Sequence, residues 1–481
     1  MNSIFRRKYL SLAACFASAV STPTFAADVR SHLFVPAEGA AIGSYQDETI
    51  KNFKRDLVFT PWNEAVEAAI EEIHRDPNYI FTLYEKVHPM VSKATTMYHL
   101  APNLEKIKKH AQELAEAFPS ALQDGEWGRL VNAEKIPAGN KSIANAAVAY
   151  RDLEKLRDKV QAEKEIGSRT TLDAIRSTIK ASKVYYSNSA TALMKTPANL
   201  EATQAIAVSG DIVMGMIEAA KRHKKIFAVV AADKENVGGS PFDGVNGTVE
   251  ETLCYCAPQL ALKLTLAAIG RAYPNPGVIV VPDVEFTRKL NKINRANRNE
   301  FGTLETLEKS FHASLIFAPA YDLRTPMKAT IDANKEKMKA DNKEAIKQSA
   351  EYKAAENDEA RAKILNDQFN LYMKKDFFPA LDKANLKLRE EWLSVLENKA
   401  QYESDLDARI DGFFAKAEEV GAESLVFPGW GTGVFLNPLK SVYAAMKRRI
   451  DKGSSIKEVI FVTFDKAQED TFGEIFDVKN N

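Results

Sequence analysis

The sequence contains very little cysteine, with Cys15, Cys254 and Cys256 as the three examples in 481 residues. Cys254 and Cys256 are two apart in a predicted helix, where such side chains point to different faces, so we expect no disulfide between them. Neither has a partner at the spacing of a zinc ligand set, and the seven histidines include no His-x-x-x-His pair. These shortages exclude a disulfide framework and disfavour a metal site, and we expect no cofactor.

The chain also lacks net charge, because its 65 basic residues balance 65 acidic residues. No global field therefore draws it to nucleic acid or to an anionic membrane, and we expect no direct nucleic-acid binding. After residue 27, no apolar run is long enough to span a bilayer. The length, 481 residues, is sufficient for two domains with full cores.

Residues 1–27 have the pattern of an export signal. Arg6 begins a basic segment, a short apolar segment covers residues 9–20, and small residues suited to cleavage end at Ala27. We expect a mature chain that starts at Ala27 or Asp28 and is periplasmic in a bacterium or secreted. A lipoprotein box that ends at Cys15 is an overlapping alternative, although the apolar segment before it is very short.

The remaining sequence divides into segments of different character. Residues 28–198 carry apolar side chains at helical spacing and predict a separate helical accessory domain. Residues 199–481 alternate between predicted strands and helices, which is typical of an α/β domain. Within this domain, residues from about 328 to 405 are rich in Lys, Glu and Ala and predict a helical insertion, an exposed hairpin or arm. In the accessory region, helical spacing is clearest over 62–74, 104–118 and 144–179.

Six apolar runs in the α/β region predict strands that are covered on both faces of a sheet. They are residues 205–208, 226–230, 277–281, 313–318, 424–427 and 458–464. Helices are predicted to follow at 213–223, from residue 249, and at 440–450.

The stretch Lys224–Leu262 combines an apolar strand, a polar loop with four glycines and an acidic helix start. Thr248 is a favourable N-cap residue, and Glu250 and Glu251 follow it in the first helical turn. This succession is the geometry of an anion- or nucleotide-binding turn. The two glutamates have two interpretations: they complement the helix dipole, or one of them is a catalytic acid against a bound ligand.

A second glycine loop follows the predicted strand at 424–427. Residues 427–438 read Phe-Pro-Gly-Trp-Gly-Thr-Gly-Val-Phe-Leu-Asn-Pro. Its three glycines stand at alternate positions, which allows the backbone to approach a phosphate and direct N–H groups towards it.

Both loops resemble the signature of the poly(ADP-ribose) glycohydrolases, a macro-domain family, and most closely its microbial type. The first loop matches at 236–240 (Asn-Val-Gly-Gly-Ser) and at 249–254 (Val-Glu-Glu-Thr-Leu-Cys), and the second matches at 429–435. The resemblance covers about residues 200–325 and 405–470. Four positions depart from the family pattern: Val230 stands for an asparagine, Val237 for a proline, Ser240 for a glycine and Val249 for a glutamine.

The resemblance implies a macro-type three-layer α/β/α domain with a mixed sheet. It also implies an enzyme that cleaves the O-glycosidic bond of poly- or mono-ADP-ribose, with ADP-ribose or an ADP-ribosylated macromolecule as its partner. In the family, the second glutamate of the pair is the general acid and the first holds a ribose hydroxyl. These roles fall here on Glu251 and Glu250, respectively.

The resemblance further implies where the ligand is held. The segment 429–435 would donate backbone N–H groups to the diphosphate, and the first loop would approach the distal ribose. Phe435 would pack over that ribose, and Asp211 would meet the adenine amino group, unless Asp211 only caps a helix. The implied ligand residues are Asp211, Asn236, Gly238, Gly239, Ser240, Gly429, Trp430, Gly431, Thr432, Gly433, Val434 and Phe435.

Two other classes of function stay open at this point. A macro domain that binds ADP-ribose without cleaving it agrees with the valines at 230 and 249, whereas the retained glutamate pair agrees with an enzyme. An adhesive or scaffold protein that used its helical segments would leave the two glycine loops without a purpose.

Overall fold

A computed structural model describes residues 57–59, 64–83, 141–186, 202–232, 248–267, 277–290 and 304–477. The strands are β1 (Leu57–Phe59), β2 (Lys183–Tyr186), β3 (Gln204–Ser209), β4 (Ile226–Ala232), β5 (Gly277–Leu290), β6 (Leu304–Pro319), β7 (Ser424–Phe427) and β8 (Glu458–Thr463). The first helices are α1 (Glu64–Arg75), α2 (Lys141–Glu165), α3 (Thr170–Ala181), α4 (Ile212–Ala220), α5 (Val249–Cys256) and α6 (Leu260–Ala267). The later helices are α7 (Arg324–Gln348), α8 (Ala350–Ala354), α9 (Asp358–Tyr372), α10 (Phe378–Leu393), α11 (Leu396–Glu419), α12 (Leu439–Asp451) and α13 (Lys466–Phe476). Within these ranges, no helix is long and apolar enough to cross a membrane.

The strands of the described residues form one mixed sheet in the order β1-β2-β5-β6-β4-β7-β8-β3. The five strands from β6 to β3 in this order are parallel to one another. β5 pairs antiparallel to β6, β2 to β5, and β1 to β2. Residues 204–319 and 424–463 therefore contribute to the same sheet, which confirms the predicted three-layer α/β/α domain.

Side chains alternate between two cores on opposite faces of the sheet. On β4, Ala228 and Val230 belong to the first core, whereas Phe227 and Val229 belong to the second. Helices α1 to α6 contribute to the first core, and α11, α12 and α13 contribute to the second. Because both faces are covered, the parallel strands read as continuous apolar runs in the sequence.

The described part of the N-terminal half shares its core with the sheet. β1 and β2 extend the sheet beyond β5, and the apolar faces of α1, α2 and α3 lie in the first core together with α4 and α5. A buried ion pair joins the two regions: Arg288 Nη2 on β5 donates to Asp152 Oδ1 on α2 at 2.8 Å, and Nη1 contacts Oδ2. This shared core differs from the separate helical domain expected for 28–198. An amphipathic pattern in the sequence shows that one face of a helix is buried, but it does not show which other element covers that face. The boundary at 198 lies outside the described residues.

Two strands are longer than their apolar runs predict. β5 and β6 continue as a two-stranded antiparallel ribbon down to the pair Leu290–Leu304, through polar residues that form no apolar run. The strand predicted at 277–281 does not end at Val281, because Val281–Val284 lies inside β5. The register shifts there, and Asp283 has a φ of 53°, so it forms a bulge.

The helical predictions also need correction. The pattern over 144–179 is two helices, α2 and α3, separated at Gly167, whose φ is 71°. The predicted helix at 104–118 lies outside the described residues. The insertion is helical, as predicted, but it is more than an exposed hairpin, because Leu381 on α10 is buried and Tyr402 on α11 is buried in the second core. A π-helical turn, Met373–Phe377, joins α9 to α10.

Candidate functional site

Two of the described parts of the predicted site, Asp211 and the second glycine loop, lie at one edge of the sheet, where the carboxyl ends of the five parallel strands meet. Asp211 follows β3, the segment 320–324 follows β6, and the glycine loop 428–438 follows β7. Helix α5 is the next described element after β4, and it lies near Asp211. Burial raises the pKa of its Cys256 thiol well above the usual value, and the charge of Asp211 raises it further. Ligands of open α/β sheets bind outside this edge.

The loop 428–438 is fixed against the end of β6 by two buried side chains. Trp430 Nε1 donates to Ala318 O at 3.0 Å. Asn437 Nδ2 donates to Tyr321 O at 2.8 Å and to Gly431 O at 2.9 Å. Because the indole of Trp430 is fully buried, a ligand contact at this position falls to its backbone. Asn437 was not among the predicted site residues. The sequence signal that points to it is a polar amide directly after the apolar residues Phe435 and Leu436, at the end of the loop.

The three glycines of this loop do not share one reason for lacking a side chain. Gly431 has a φ of 70°, and a Cβ there would lie 2.4 Å from Asn437 Nδ2. A Cβ at Gly429 would lie 2.7 Å from Thr432 Oγ1. At Gly433 a Cβ would meet nothing within 4 Å, and its φ is not positive. Internal packing therefore explains Gly429 and Gly431, whereas Gly433 faces open space, where a ligand has room to approach.

The tip of the loop is exposed beside an arginine. Val434 is 50% exposed, and Phe435, which is partly buried, has its ring centroid 5.0 Å from the Arg324 guanidinium. Arg324 also forms an ion pair with Asp322 at 2.8 Å. The Phe435 ring, which is expected to pack over a ribose, thus already has the Arg324 guanidinium against one side. Arg324 was not among the predicted site residues, because nothing in the local sequence indicates its contact with Phe435.

Glu250 and Glu251 are buried in the first turn of α5, with 3% and 2% of their surfaces exposed. Thr248 is the N-cap residue, as predicted, but its side chain makes no cap hydrogen bond. Its hydroxyl donates to Glu251 Oε2, the carboxyl group three residues further along the same turn. Burial raises the pKa of the nearby Cys254 thiol, and the charges of both glutamates raise it further. Two carboxyl groups shielded from solvent are therefore placed side by side in sequence at the helix start.

Asp211 is buried and caps α4, because its Oδ1 accepts a hydrogen bond from Met214 N at 2.8 Å. The structure thus shows the capping role, and the adenine contact stays a prediction. The residues predicted from the first loop, Asn236, Gly238, Gly239 and Ser240, lie outside the described residues.

No family model matches the sequence, and no curated protein matches it. Solved structures do align with it. The poly(ADP-ribose) glycohydrolase from Thermomonospora curvata aligns with 15% identity and a TM-score of 0.42 over 69% of this chain and 99% of that chain. The poly(ADP-ribose) glycohydrolase from Deinococcus radiodurans in complex with ADP-ribose aligns with 14% identity and a TM-score of 0.38 over 63% of this chain and 97% of that chain. At these identities and TM-scores, a function for this chain has to be derived from its own residues.

Proposed function

We propose that this protein is an ADP-ribosyl glycohydrolase, which releases ADP-ribose by cleaving an O-glycosidic bond of poly- or mono-ADP-ribose. The observation that carries the proposal is the buried carboxyl pair Glu250 and Glu251. It starts α5, the next described element after the central parallel strand β4. At the carboxyl edge of this sheet, the neighbouring strand β7 leads into a glycine loop with open space at Gly433.

In this proposal, Glu251 is the general acid. Its proton passes to the glycosidic oxygen as the bond between that oxygen and the anomeric carbon breaks, and positive charge develops on the ribose ring. Water then attacks the anomeric carbon and returns a proton to the Glu251 carboxylate. Glu250 holds a ribose hydroxyl, and the Thr248 hydroxyl orients the Glu251 carboxyl by its contact with Oε2.

The loop tip would hold the diphosphate in the same reaction. Backbone N–H groups around Gly433 and Val434 are next to open space, and backbone donors bind phosphate oxygens well. Arg324, which lies against Phe435 and pairs with Asp322, places a guanidinium group beside this backbone. A charged diphosphate would therefore meet backbone dipoles and a guanidinium group at this edge of the sheet.

The decisive experiment replaces Glu251 by glutamine, which keeps the shape of the side chain and removes the transferable proton. ADP-ribose release should fall by about 10²–10⁴-fold, the usual worth of a positioned general acid, while ADP-ribose binding measured by calorimetry should change little. Glu250→Ala should weaken binding as well as turnover. Glu218→Gln, on the exposed side of α4 where Glu218 pairs with Lys221 at 2.6 Å, is the control and should behave as wild type. Equal, nonzero release by wild type and Glu251→Gln would remove Glu251 from this role.

The second candidate is a module that binds ADP-ribose without cleaving it. Two observations favour it: Val230 is fully buried in the first core, and Val249 packs against that core, where the resembling family has polar residues. Binding of ADP-ribose with no release by the wild type would decide for this candidate. Val249→Gln restores the family residue and would then show whether the valine accounts for the missing activity.

Export belongs to the same proposal and rests on the basic, apolar and small-residue order of residues 1–27. These residues lie outside the described ranges. Mass spectrometry of the exported protein should find an N-terminus at Ala27 or Asp28. A lipid-modified Cys15 would contradict this and support the lipoprotein alternative.

A further inference from the structure

Two helices that follow the exposed part of the insertion, α10 and α11, reach the back of the candidate site through arginine side chains. Arg389 Nη1 on α10 donates to Leu436 O at 3.4 Å. Arg409 Nη1 on α11 donates to Pro319 O at 3.0 Å. Both acceptors are main-chain carbonyls of the segments that build the site, one at the end of the glycine loop and one at the end of β6. The insertion is thus connected to the glycine loop by one of its own side chains, Arg389.

Leu436 is the residue of the loop that needs support. Its φ is 62°, in the left-handed region, which disfavours any residue with a Cβ. Its N–H donates to Gly433 O at 3.0 Å, and the next N–H, that of Asn437, donates to Gly431 O at 3.0 Å. The peptide group between Leu436 and Asn437 is therefore held at both ends, by Gly431 through its N–H and by Arg389 through its carbonyl.

Arg389 is itself held in a fixed orientation. Its Nε and Nη2 donate to Glu390 Oε1 at 3.0 and 2.5 Å, and only 16% of its side chain is exposed. On the same helix, Leu388 and Trp392 pack against the second core, to which Trp430 and Leu436 belong. The guanidinium thus reaches Leu436 O from a helix that is anchored to the same core as the loop.

We propose that Arg389 is a positioning residue for the glycine loop, and that α10 thereby sets the affinity of the site for a diphosphate ligand. Arg389 acts through the peptide that closes the loop on Gly431, and this closure fixes the direction of the N–H groups at Gly433 and Val434. The effect on affinity rests on the proposed ADP-ribose site, whereas the effect on the loop does not. An experiment that measures both separates the two.

The test uses the full chain and three variants. Arg389→Met keeps an unbranched apolar stem and removes the hydrogen bond and the charge. Arg389→Lys keeps the charge but loses the planar guanidinium that serves Glu390 and Leu436 together. Arg361→Met makes the same change at an exposed arginine on α9, which pairs with Asp358 at 3.1 Å, and is the matched control.

Hydrogen exchange followed by mass spectrometry reports on the loop without any ligand. In Arg389→Met, we expect the amides of Leu436 and Asn437 to exchange about 5- to 10-fold faster, the size expected for one lost hydrogen bond of ordinary strength, since the contact to Leu436 O is long, at 3.4 Å. Calorimetry should show a dissociation constant for ADP-ribose that is raised by a similar factor, with kcat of release little changed. Arg389→Lys should show an intermediate effect on exchange, and Arg361→Met should match the wild type in both measurements.

The outcomes are distinguishable. Unchanged exchange at Leu436 and Asn437 in a folded Arg389→Met protein would overturn the proposal, and so would wild-type behaviour of Arg389→Lys, since charge alone would then be sufficient. If Arg389→Met does not fold, Arg389→Lys alone decides between these results. If Arg389→Met shows faster exchange but the wild type binds no ADP-ribose, the result would support the positioning role of Arg389 and refute the proposed function.

Discussion

At the scale of single residues, two glycines of one loop should separate ligand binding from folding. Gly433→Ala adds a Cβ that meets no protein atom within 4 Å at a φ that is not positive. We expect an unchanged melting temperature and an ADP-ribose affinity that is about 10-fold weaker or worse, since the methyl group occupies the space that a phosphate needs. Thermal unfolding and calorimetry on the same sample measure both.

Gly431→Ala is the matched control with the opposite expectation. Its Cβ would lie 2.4 Å from Asn437 Nδ2, at a φ of 70°, so the folded state should lose about 1–3 kcal/mol. An affinity of Gly433→Ala equal to wild type would exclude the loop tip from phosphate binding. The sequence places both glycines in one alternating pattern and so cannot distinguish them. The difference depends on Ala320 and Asn437, which only the folded chain brings to Gly431.

At the scale of elements, parallel strands were the most predictable and the antiparallel ribbon was the least. β4 and β8 lie within two residues of their predicted ends, and β7 has its predicted bounds, because each is a short apolar run covered on both faces. In the outer part of β6, most residues are exposed, including the polar residues Glu305 and Lys309. Its strand character comes from pairing with β5, and backbone pairing of this kind leaves no mark in a local pattern of apolar residues.

The ion pair between α2 and β5 gives a prediction at this scale. Asp152→Ala leaves the buried Arg288 guanidinium without its carboxylate, and removing one partner of a buried pair costs about 3–5 kcal/mol. Arg288 and Asp152 have 9% and 5% of their side chains exposed, so water cannot take the place of the carboxylate. Urea unfolding should show this loss in the single variant, and the double variant Asp152→Leu with Arg288→Met should recover most of it. A loss below about 1 kcal/mol would show that the pair behaves as an exposed one.

At the scale of the whole molecule, three buried tyrosines of the second core should limit stability at high pH. Burial raises the pKa of Tyr321 to about 12, with a further contribution from Asp405, and burial also raises the pKa of Tyr402 and Tyr443. A raised pKa in the folded state means that the stabilising contribution is complete below the ordinary value near 10. It is lost as the pH rises through about 12 for Tyr321. The free energy of unfolding should therefore fall from pH 10 upwards.

Absorbance of tyrosinate checks this expectation. Exposed tyrosines should ionise near pH 10, and the buried ones should ionise later, together with the loss of the circular dichroism signal. Tyr321→Phe should make the fall in stability with pH less steep. Ionisation of all tyrosines in one step, with the fold retained, would contradict the assignment.

The arrangement of the whole chain was predictable only in part. Residues 204–319 and 424–463 form the predicted α/β sheet, and the acid pair and second glycine loop stand at the ends of the expected elements. The role of α1, α2 and α3 was not predictable, because Val66, Leu156 and Ile175 show the same helical spacing whether they pack on each other or on a sheet. The contact from Arg389 to the loop was equally hidden, since the two residues are 47 positions apart in the chain.

The division of the interior into two cores has a consequence for how such a protein evolves. Glu250 and Glu251 stand on α5, whose apolar side chains belong to the first core, whereas Trp430 and Leu436 support the glycine loop from the second. The sheet separates these layers, and distant substitutions have nearly additive effects. On the proposed function, mutations in the first layer therefore act on the acid pair, and mutations in the second act on the loop that would hold the diphosphate. A laboratory library restricted to one layer would vary one of these two parts of the proposed site and leave the other nearly unchanged.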